Sequence, residues 1–360
     1  MSDSLSSSQR QRGVALIAVL LLLVFILTIV GGLFYRHQIH IQKVTRSLVG
    51  EQALLLLLSA ESWGQSVLVE DGKRSAIDHN GENWARALPL LPVEGGAISG
   101  CLRDLQGLFN INSLSWYGNK SWEDELAAEL GSAGKSTRRT LFRRLLEQLQ
   151  LDAGDARIAA LVDWLDEDSW LLSPDSAEDN EYLLLTPAYR AANQSMVELA
   201  ELSLVQGFSA ADVVALQPYV NILPEDTAIN INTAPAMVLM ALSPLITRDI
   251  AEALIASRPY DSVDGFYSQL AILAGETRQT LASQLPAEFV AVGSEYFSLS
   301  ADVRLAGVRM AYRSIIHRQG QGARVISRTL RYIPAGLDEN SEALAVHSVC
   351  NPLQEVDNTP

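Results

Sequence analysis

The sequence predicts an α+β protein in which one long amino-terminal helix packs on an antiparallel sheet and a large all-α block is inserted into that sheet. Three observations predict it. Residues 14–34 form an uncharged apolar run, and a helical pattern without proline continues from it to residue 69. Strand-like alternation occurs in two places far apart, near residue 100 and from residue 295 onward. Between them apolar residues recur at i, i+3, i+4 and i+7, the spacing of helices with one buried face.

Composition bounds the function. The 360 residues carry a net charge of −15 with 48% apolar residues, which excludes a wholly disordered chain and admits two or three packed units. The negative balance argues against nucleic acid as a partner, because phosphate binding needs clustered Lys and Arg. Two Cys exclude a disulfide-dense scaffold and a four-Cys zinc site, and five His argue against a His-rich metal enzyme.

The first element is the apolar run. About 20 such residues cross a bilayer as a helix. Arg10 and Arg12 precede it and Arg36 follows, so the positive-inside rule gives only a slight preference for a cytoplasmic amino terminus and an extracytoplasmic remainder. A secretory signal has a shorter apolar region and a small-x-small site behind it; a plain single-span anchor is the alternative reading. Gln9-Arg10-Gln11-Arg12-Gly13 followed by Val14 resembles the leader of type IV prepilins. That resemblance implies cleavage after Gly13 by a prepilin peptidase, with Val14 as the new, N-methylated terminus. Ala18 is then the fifth mature residue, where most pilins and pseudopilins carry Glu. A carboxylate in hydrocarbon is costly unless paired, and in a filament it pairs with the terminal ammonium of the subunit above. Ala18 forms no such bond, which fits a filament tip or a protein outside a filament.

The remaining elements follow in order. Residues 38–69 extend the helix, and residues 71–96 read as loop from their Gly, Asn and Pro punctuation. Residues 97–105 read as a strand and residues 108–112 as a second, after a Gln106-Gly107 turn. Leu141, Phe142, Leu145, Leu146 and Leu149 make one helical face, and Ile158, Leu161, Val162 and Leu165 another. Further helices are predicted over 196–205, 210–217, 235–242 and 249–257, then strands over 295–305, 308–318 and 323–333. The predicted division is a leader (1–13), a transmembrane helix (14–35), an α/β domain (36–118 with 290–335), an inserted helical domain (119–289) and a tail (336–360).

Together these pieces resemble the minor pseudopilin K family of type II secretion, also called general secretion pathway protein K. The resemblance covers essentially the whole chain. It rests on the Gly13/Val14 leader, non-acidic Ala18, Asp104-Leu105-Gln106-Gly107-Leu108-Phe109-Asn110-Ile111-Asn112, Val162-Asp163-Trp164-Leu165-Asp166-Glu167-Asp168, Ala177-Glu178-Asp179-Asn180-Glu181-Tyr182 and Asn230-Ile231-Asn232-Thr233-Ala234-Pro235. It implies a type IV pilin-like fold with a helical insertion. It also implies a non-enzymatic role: capping the pseudopilus with minor pseudopilins I and J and helping start its assembly for export of folded proteins. The implied partners are I and J, other pseudopilins, prepilin peptidase, the inner membrane and secreted substrate. The alternatives are a membrane-anchored periplasmic enzyme using the acidic cluster, and a minor subunit of a type IV pilus.

The densest charged stretch runs over 163–181 and holds eight carboxylates with no Lys or Arg. Such a run is either a solvated acidic loop or a shared cation site, and hard oxygen ligands suit Ca²⁺. It lacks the Gly and terminal Glu spacing of an EF-hand. The family resemblance implies structural calcium here, with Asp166, Asp168, Glu178, Asp179 and Glu181 as the candidate ligands and Glu167 pointing away. Cys101 and Cys350 form either a disulfide, expected outside the cytoplasm, or two buried thiols; a bridge over so long a loop contributes about 4–5 kcal/mol less any strain. Residues 229–266 resemble a helix-hairpin-helix unit, but the 242–247 turn has no Gly, and Pro244 has no N–H for phosphate. A protein-binding or structural use is expected there. Gly131-Ser132-Ala133-Gly134-Lys135-Ser136 lacks the first Gly and preceding strand of a P-loop, and Ser132-x-x-Lys135 has no companion motif of penicillin-recognising enzymes. His37 and His40, one helical turn apart, fit interfacial side chains better than metal ligands. No credible nucleophile–base pair emerges.

Overall fold

The computed structural model describes residues 8–115 and 137–333. The start of the leader, the 118/119 boundary, the 131–136 loop, Cys350 and the 336–360 tail lie outside the described residues.

Absence of proline lets one helix run uninterrupted. Helix α1 spans Ser8–Arg74, 67 residues, or about 100 Å at 1.5 Å per residue. It passes the predicted end at Val69 and closes on Lys73 and Arg74, cations suited to the negative end of a helix dipole. Its amino-terminal apolar window has mean hydropathy 3.2 and 0% of it is buried in the chain. Such a surface is stable in lipid or against other helices, not in water. Farther along, the same helix acquires a core face. Ala53, Leu57 and Leu68 are buried with Leu102, Phe297, Leu299, Val303 and Ile316 of the sheet. Glu61 lies in that face and is held there by Tyr312 Oη and by Arg328, whose Nη2 donates to Oε1 at 2.8 Å.

The sheet has five antiparallel strands in the order β1-β2-β7-β8-β9: β1 Leu88–Val93, β2 Gly96–Asp104, β7 Tyr296–Leu305, β8 Val308–Gln319 and β9 Gly322–Ile333. Strand β1 falls in the region expected to be loop. Pro89 and Pro92 conceal it in the sequence, and its edge position is the place where a strand tolerates proline. Strands β2 and β7 are direct neighbours, with Cys101 opposite Ser300. The chain therefore leaves the sheet after Asp104 and returns at Tyr296, and everything between is built outside it.

Four short strands fasten that inserted region. Strand β3 (Phe109–Asn110) pairs in parallel with β4 (Val220–Asn221), and β5 (Ile229–Asn230) pairs in parallel with β6 (Val290–Ala291). The strand expected over 108–112 stops at Asn110, whose side chain accepts from Asn112 N and starts a 3-10 turn over Ile111–Leu114. The helix expected over 196–205 is likewise a 3-10 turn, Leu199–Leu204. Among the described residues the further helices are α2 Arg138–Gln148, α3 Asp155–Leu165, α4 Asp179–Tyr182, α5 Ala210–Leu216, α6 Ala236–Leu242, α7 Arg248–Ala256, α8 Val263–Ala274 and α9 Arg278–Gln284. The helical faces predicted from Leu141 to Leu146 and from Ile158 to Leu165 are buried in a core of their own, separate from that of the sheet.

Buried asparagines explain two motifs that carried the family resemblance. Asn112 Nδ2 donates to Met196 O at 3.0 Å and Leu223 O at 2.9 Å, and Asn232 Nδ2 donates to Tyr260 O at 3.0 Å. Each pins a loop whose backbone would otherwise be buried without partners. Gly107 is needed for the same junction: a Cβ there would meet Thr233 Oγ1 at 2.6 Å.

Candidate functional site

The site grows from the carboxyl end of α3. This helix is buried from Arg157 to Leu165 and stops where Asp166 turns to extended backbone. Asp163, fully buried, accepts from Leu172 N at 3.1 Å and folds the following loop back on the helix. Trp164 meets Tyr182 edge-on at 5.2 Å, and Tyr182 stacks on Tyr189 at 5.4 Å. These contacts bring residues 178–182 against the end of α3.

Asp166, Asp168 and Glu178 converge there, each offering one carboxylate oxygen within 4.8 Å of the others. Glu178 is 3% exposed. Among the described residues, Asp166 Oδ1 has no hydrogen-bond donor, and only main-chain N–H groups of its own turn approach the Glu178 carboxylate. Burial pushes Asp166 up to about 7, and Asp168, Asp163 and Glu178 add repulsion. Burial also pushes Glu178 up to about 7, with Asp163 the leading repulsive neighbour. The end of a helix is itself partially negative. Three carboxylates at that pole are therefore poorly placed unless a cation or protons join them. A hard divalent cation fits this donor set: carboxylate oxygens on a loop, with remaining positions left for carbonyls or water.

Two of the five expected ligands are turned elsewhere. Asp179 Oδ1 accepts from Ala191 N at 3.1 Å and its other oxygen lies 3.5 Å from Arg190. Glu181 Oε2 accepts from Glu178 N at 2.9 Å. Both oxygens thus hold loop backbone instead of joining the cluster. Glu167 is exposed and is not among the three converging carboxylates.

A second carboxylate group, Asp71, Asp78 and Glu82, also has oxygens within 4.8 Å of one another, yet it is differently equipped. Arg318 Nη2 donates to both Asp78 oxygens at 2.6 Å, and its Nη1 donates to Asp71 Oδ2 at 3.1 Å. Glu82 Oε2 accepts from Trp84 Nε1 at 2.7 Å and His79 N at 2.9 Å. Beside it, buried Asp104 accepts from Ser294 Oγ at 2.7 Å, Asn230 Nδ2 at 3.0 Å and Thr233 Oγ1 at 2.5 Å. Burial raises Asp104 to about 6 against those bonds. This node joins α1, the sheet and the inserted block. Sequence reading missed it; the available signals were isolated charges at strand ends, Asp104 and Arg318.

The other expected residues lie apart from the cluster. Val14 and Ala18 are exposed in the apolar part of α1, as are His37 and His40 farther along. Gly13 lies in the same helix. Cys101 is buried on β2 and disulfide-bonded; Cys350 is the only other cysteine in the sequence. Residues 229–266 form strand, helix, turn and helix, with Pro244 in the turn.

Comparison with known proteins places these features in one group. A family model described as type II secretion system, protein K, matches residues 107–225, and a second of the same description matches residues 229–286. The type II secretion system protein K of Pseudomonas aeruginosa is 34% identical over 333 residues, covering 89% of this chain and 93% of its own length. That of Aeromonas hydrophila is 36% identical over 266 residues, covering 70% and 77% respectively. A solved chain from the GspK–GspI–GspJ complex of enterotoxigenic Escherichia coli superposes with a TM-score of 0.66 at 28% identity, covering 80% of this chain and 99% of that one.

Proposed function

The chain belongs to the type II secretion system protein K family, and from that premise we propose that it caps a periplasmic pseudopilus together with minor pseudopilins I and J. Membership makes it a minor pseudopilin, a structural component of a secretion machine and not an enzyme. One observation carries the tip reading: nearly the full length of a solved chain from a three-protein K–I–J complex matches the head described above. The uncovered apolar helix and Ala18 at the fifth position after Gly13 support it.

In this reading α1 and the antiparallel sheet form a pilin-like body anchored in the inner membrane, with the head in the periplasm. The inserted block, including the helix-hairpin-helix-like stretch, serves protein contacts with neighbouring pseudopilins and secreted substrate. The cap helps start assembly for export of folded proteins across the outer membrane. Prepilin peptidase cuts after Gly13, and Val14 is methylated. Calcium is held by Asp166, Asp168 and Glu178, where it neutralises buried carboxylates and fixes the loop to α3.

Co-purification of the full chain in detergent with I and J from the same system, in calcium, tests the partnership. Light scattering should give a 1:1:1 assembly. A chain that stays alone well above micromolar concentration would overturn it. Intact mass should place the mature terminus at methylated Val14.

A further inference from the structure

A single exposed leucine is ordinary, but a cluster of large apolar side chains in water marks a contact surface. The inserted block carries such a cluster on the two segments that supply the acidic group. Trp170 is 81% exposed and Leu184 85%, and Leu171, Leu183 and Leu185 are exposed beside them in the chain.

Hydrogen bonds gather these side chains around one aromatic pair. Trp170 N donates to Asp168 Oδ1 at 2.8 Å, and Asn193 Nδ2 donates to Asp168 O at 2.5 Å, which ties the Trp170 loop to residues 189–193. Tyr189 stacks on Tyr182, and its Oη donates to Leu204 O at 2.8 Å, where Leu204 adds a further exposed side chain. Leu183 N donates to Asp179 O at 2.9 Å and Leu185 N to Tyr182 O at 3.2 Å. The leucine turn is thus fixed in its backbone while its side chains face solvent. A surface ordered in advance loses little freedom on binding.

The surroundings specify the partner. Arg190 is the one Lys or Arg between Asp163 and Leu204 in the sequence, and it lies 3.5 Å from Asp179. Glu167 and Asp168 are exposed on the Trp170 loop, and Glu181 stands one turn before Leu184. An apolar centre with an acidic rim repels a second copy of itself, since like charges brought together cost several kcal/mol. The bilayer is out of reach. The node that fastens the inserted block includes Asp71 of α1, which lies about 55 Å along the helix from Phe34, at 1.5 Å per residue. A unit of this size is only about 40 Å across.

We propose that Trp170, Leu171 and the turn Leu183–Leu185 form a docking surface for another protein, one that presents apolar side chains flanked by Lys and Arg. This deepens the protein-contact role of the inserted block and rests on that reading. Trp170 and Leu184 are the anchors, because they have the most apolar surface to bury and tryptophan is the commonest hot-spot residue. The acidic rim fixes register and speeds encounter.

The test uses the full chain in bilayer discs of zwitterionic lipid, in calcium, with empty discs as the blank. The probe is a labelled amphipathic peptide of Leu and Lys, and its counterpart has Glu in place of every Lys. Fluorescence anisotropy should show the Leu/Lys peptide binding at least about tenfold tighter than the Leu/Glu peptide. The Trp170→Ser/Leu184→Ser variant should weaken it about tenfold or more, and about 0.5 M sodium chloride should weaken it through screening. Both side chains are exposed, so the variant should melt with the unmutated chain. Equal binding of the two peptides, or binding that the serine pair leaves unchanged, would overturn the proposal. Loss of binding in Ile272→Ser instead, an exposed residue elsewhere on the block, would overturn this surface and leave the block a protein-contact region. Flotation with phosphatidylglycerol vesicles that Leu184→Ser abolishes would reassign the patch to lipid, and a dimer lost in the same variant would reassign it to a second copy. If the peptide does not bind while I and J still co-purify, this surface is wrong and the cap reading stands.

Discussion

The two carboxylate groups found among the described residues are made of the same side chains and differ in what surrounds them. Around Asp78 and Asp104 every buried oxygen meets a donor, and Arg318, lying over the Phe297 ring at 4.8 Å, supplies a full positive charge. Among the described residues, Asp166 and Glu178 make no ion pair, and Asp166 Oδ1 stays without a donor. The first group binds three parts of the chain together using only protein. The second holds its carboxylates together without such a partner among the described residues, which is what the calcium proposal rests on. Clustered acidity alone therefore does not mark a cation site; the supply of donors decides.

The largest effect should come from opening the closed node. Arg318→Met leaves Asp78, 0% exposed, without its charge partner. Breaking a buried pair on one side costs about 3–5 kcal/mol, read as a fall in the urea midpoint. A change below 1 kcal/mol would mean that Ser294 N alone, at 2.7 Å, suffices for Asp78, and the contrast between the groups would collapse.

Next in size is the response to calcium. Binding to the folded state alone adds about 2.7 kcal/mol at a hundredfold excess over Kd, so calcium should raise the melting temperature of the wild type. Glu178→Gln should abolish most of that rise, because it removes the most buried of the three carboxylates. Asp71→Asn should leave it intact, since Arg318 already fills that group. Equal losses in both variants would show that the ion is not at the open group.

The chelated protein should also respond to pH. Asp166 and Glu178 sit near 7 in the fold, against about 3.9 and 4.3 in an unfolded chain. The folded state binds more protons between those values, so stability is lowest above pH 7 and rises as pH falls from 8 toward 5. Asp71 and Asp104, raised to about 6, add a rise of the same sign about one unit lower. Thermal melts with chelator should show both portions, and Glu178→Gln should reduce only the upper one. A stability that falls from pH 8 to pH 6 in chelator would contradict the assignment.

The sequence made some of this visible and hid the rest for physical reasons. Strands β7 to β9 alternate cleanly and end in short turns, so their bounds were readable to within a residue or two. Strand β1 was hidden by Pro89 and Pro92, whose usual meaning is loop. The acidic segment was readable from its density, because carboxylates without Lys or Arg need either solvent or a cation. The Asp78–Arg318 node was not, because its partners are 240 residues apart and each reads alone as an ordinary surface charge. The strings Leu108–Asn112 and Asn230–Pro235 stood out as a resemblance, and only the structure shows that their asparagines hold buried backbone.

The smallest effects distinguish ligand from support within the open group. Glu181 Oε2 holds Glu178 N, and Asp179 Oδ1 holds Ala191 N. A glutamine at 181 keeps a side-chain oxygen for the same N–H, so Glu181→Gln should cost at most about 0.5 kcal/mol, the low end for a capping bond. Asp179→Ala deletes its acceptor and should cost about 0.5–1.5 kcal/mol, a typical net hydrogen bond. Neither should weaken calcium by more than about twofold, because the geometry commits both oxygens to backbone. Isothermal titration of the two variants checks this directly. A tenfold or greater loss in either would mean that the loop re-aims a carboxylate when the ion enters, and that the ligand set is larger than Asp166, Asp168 and Glu178.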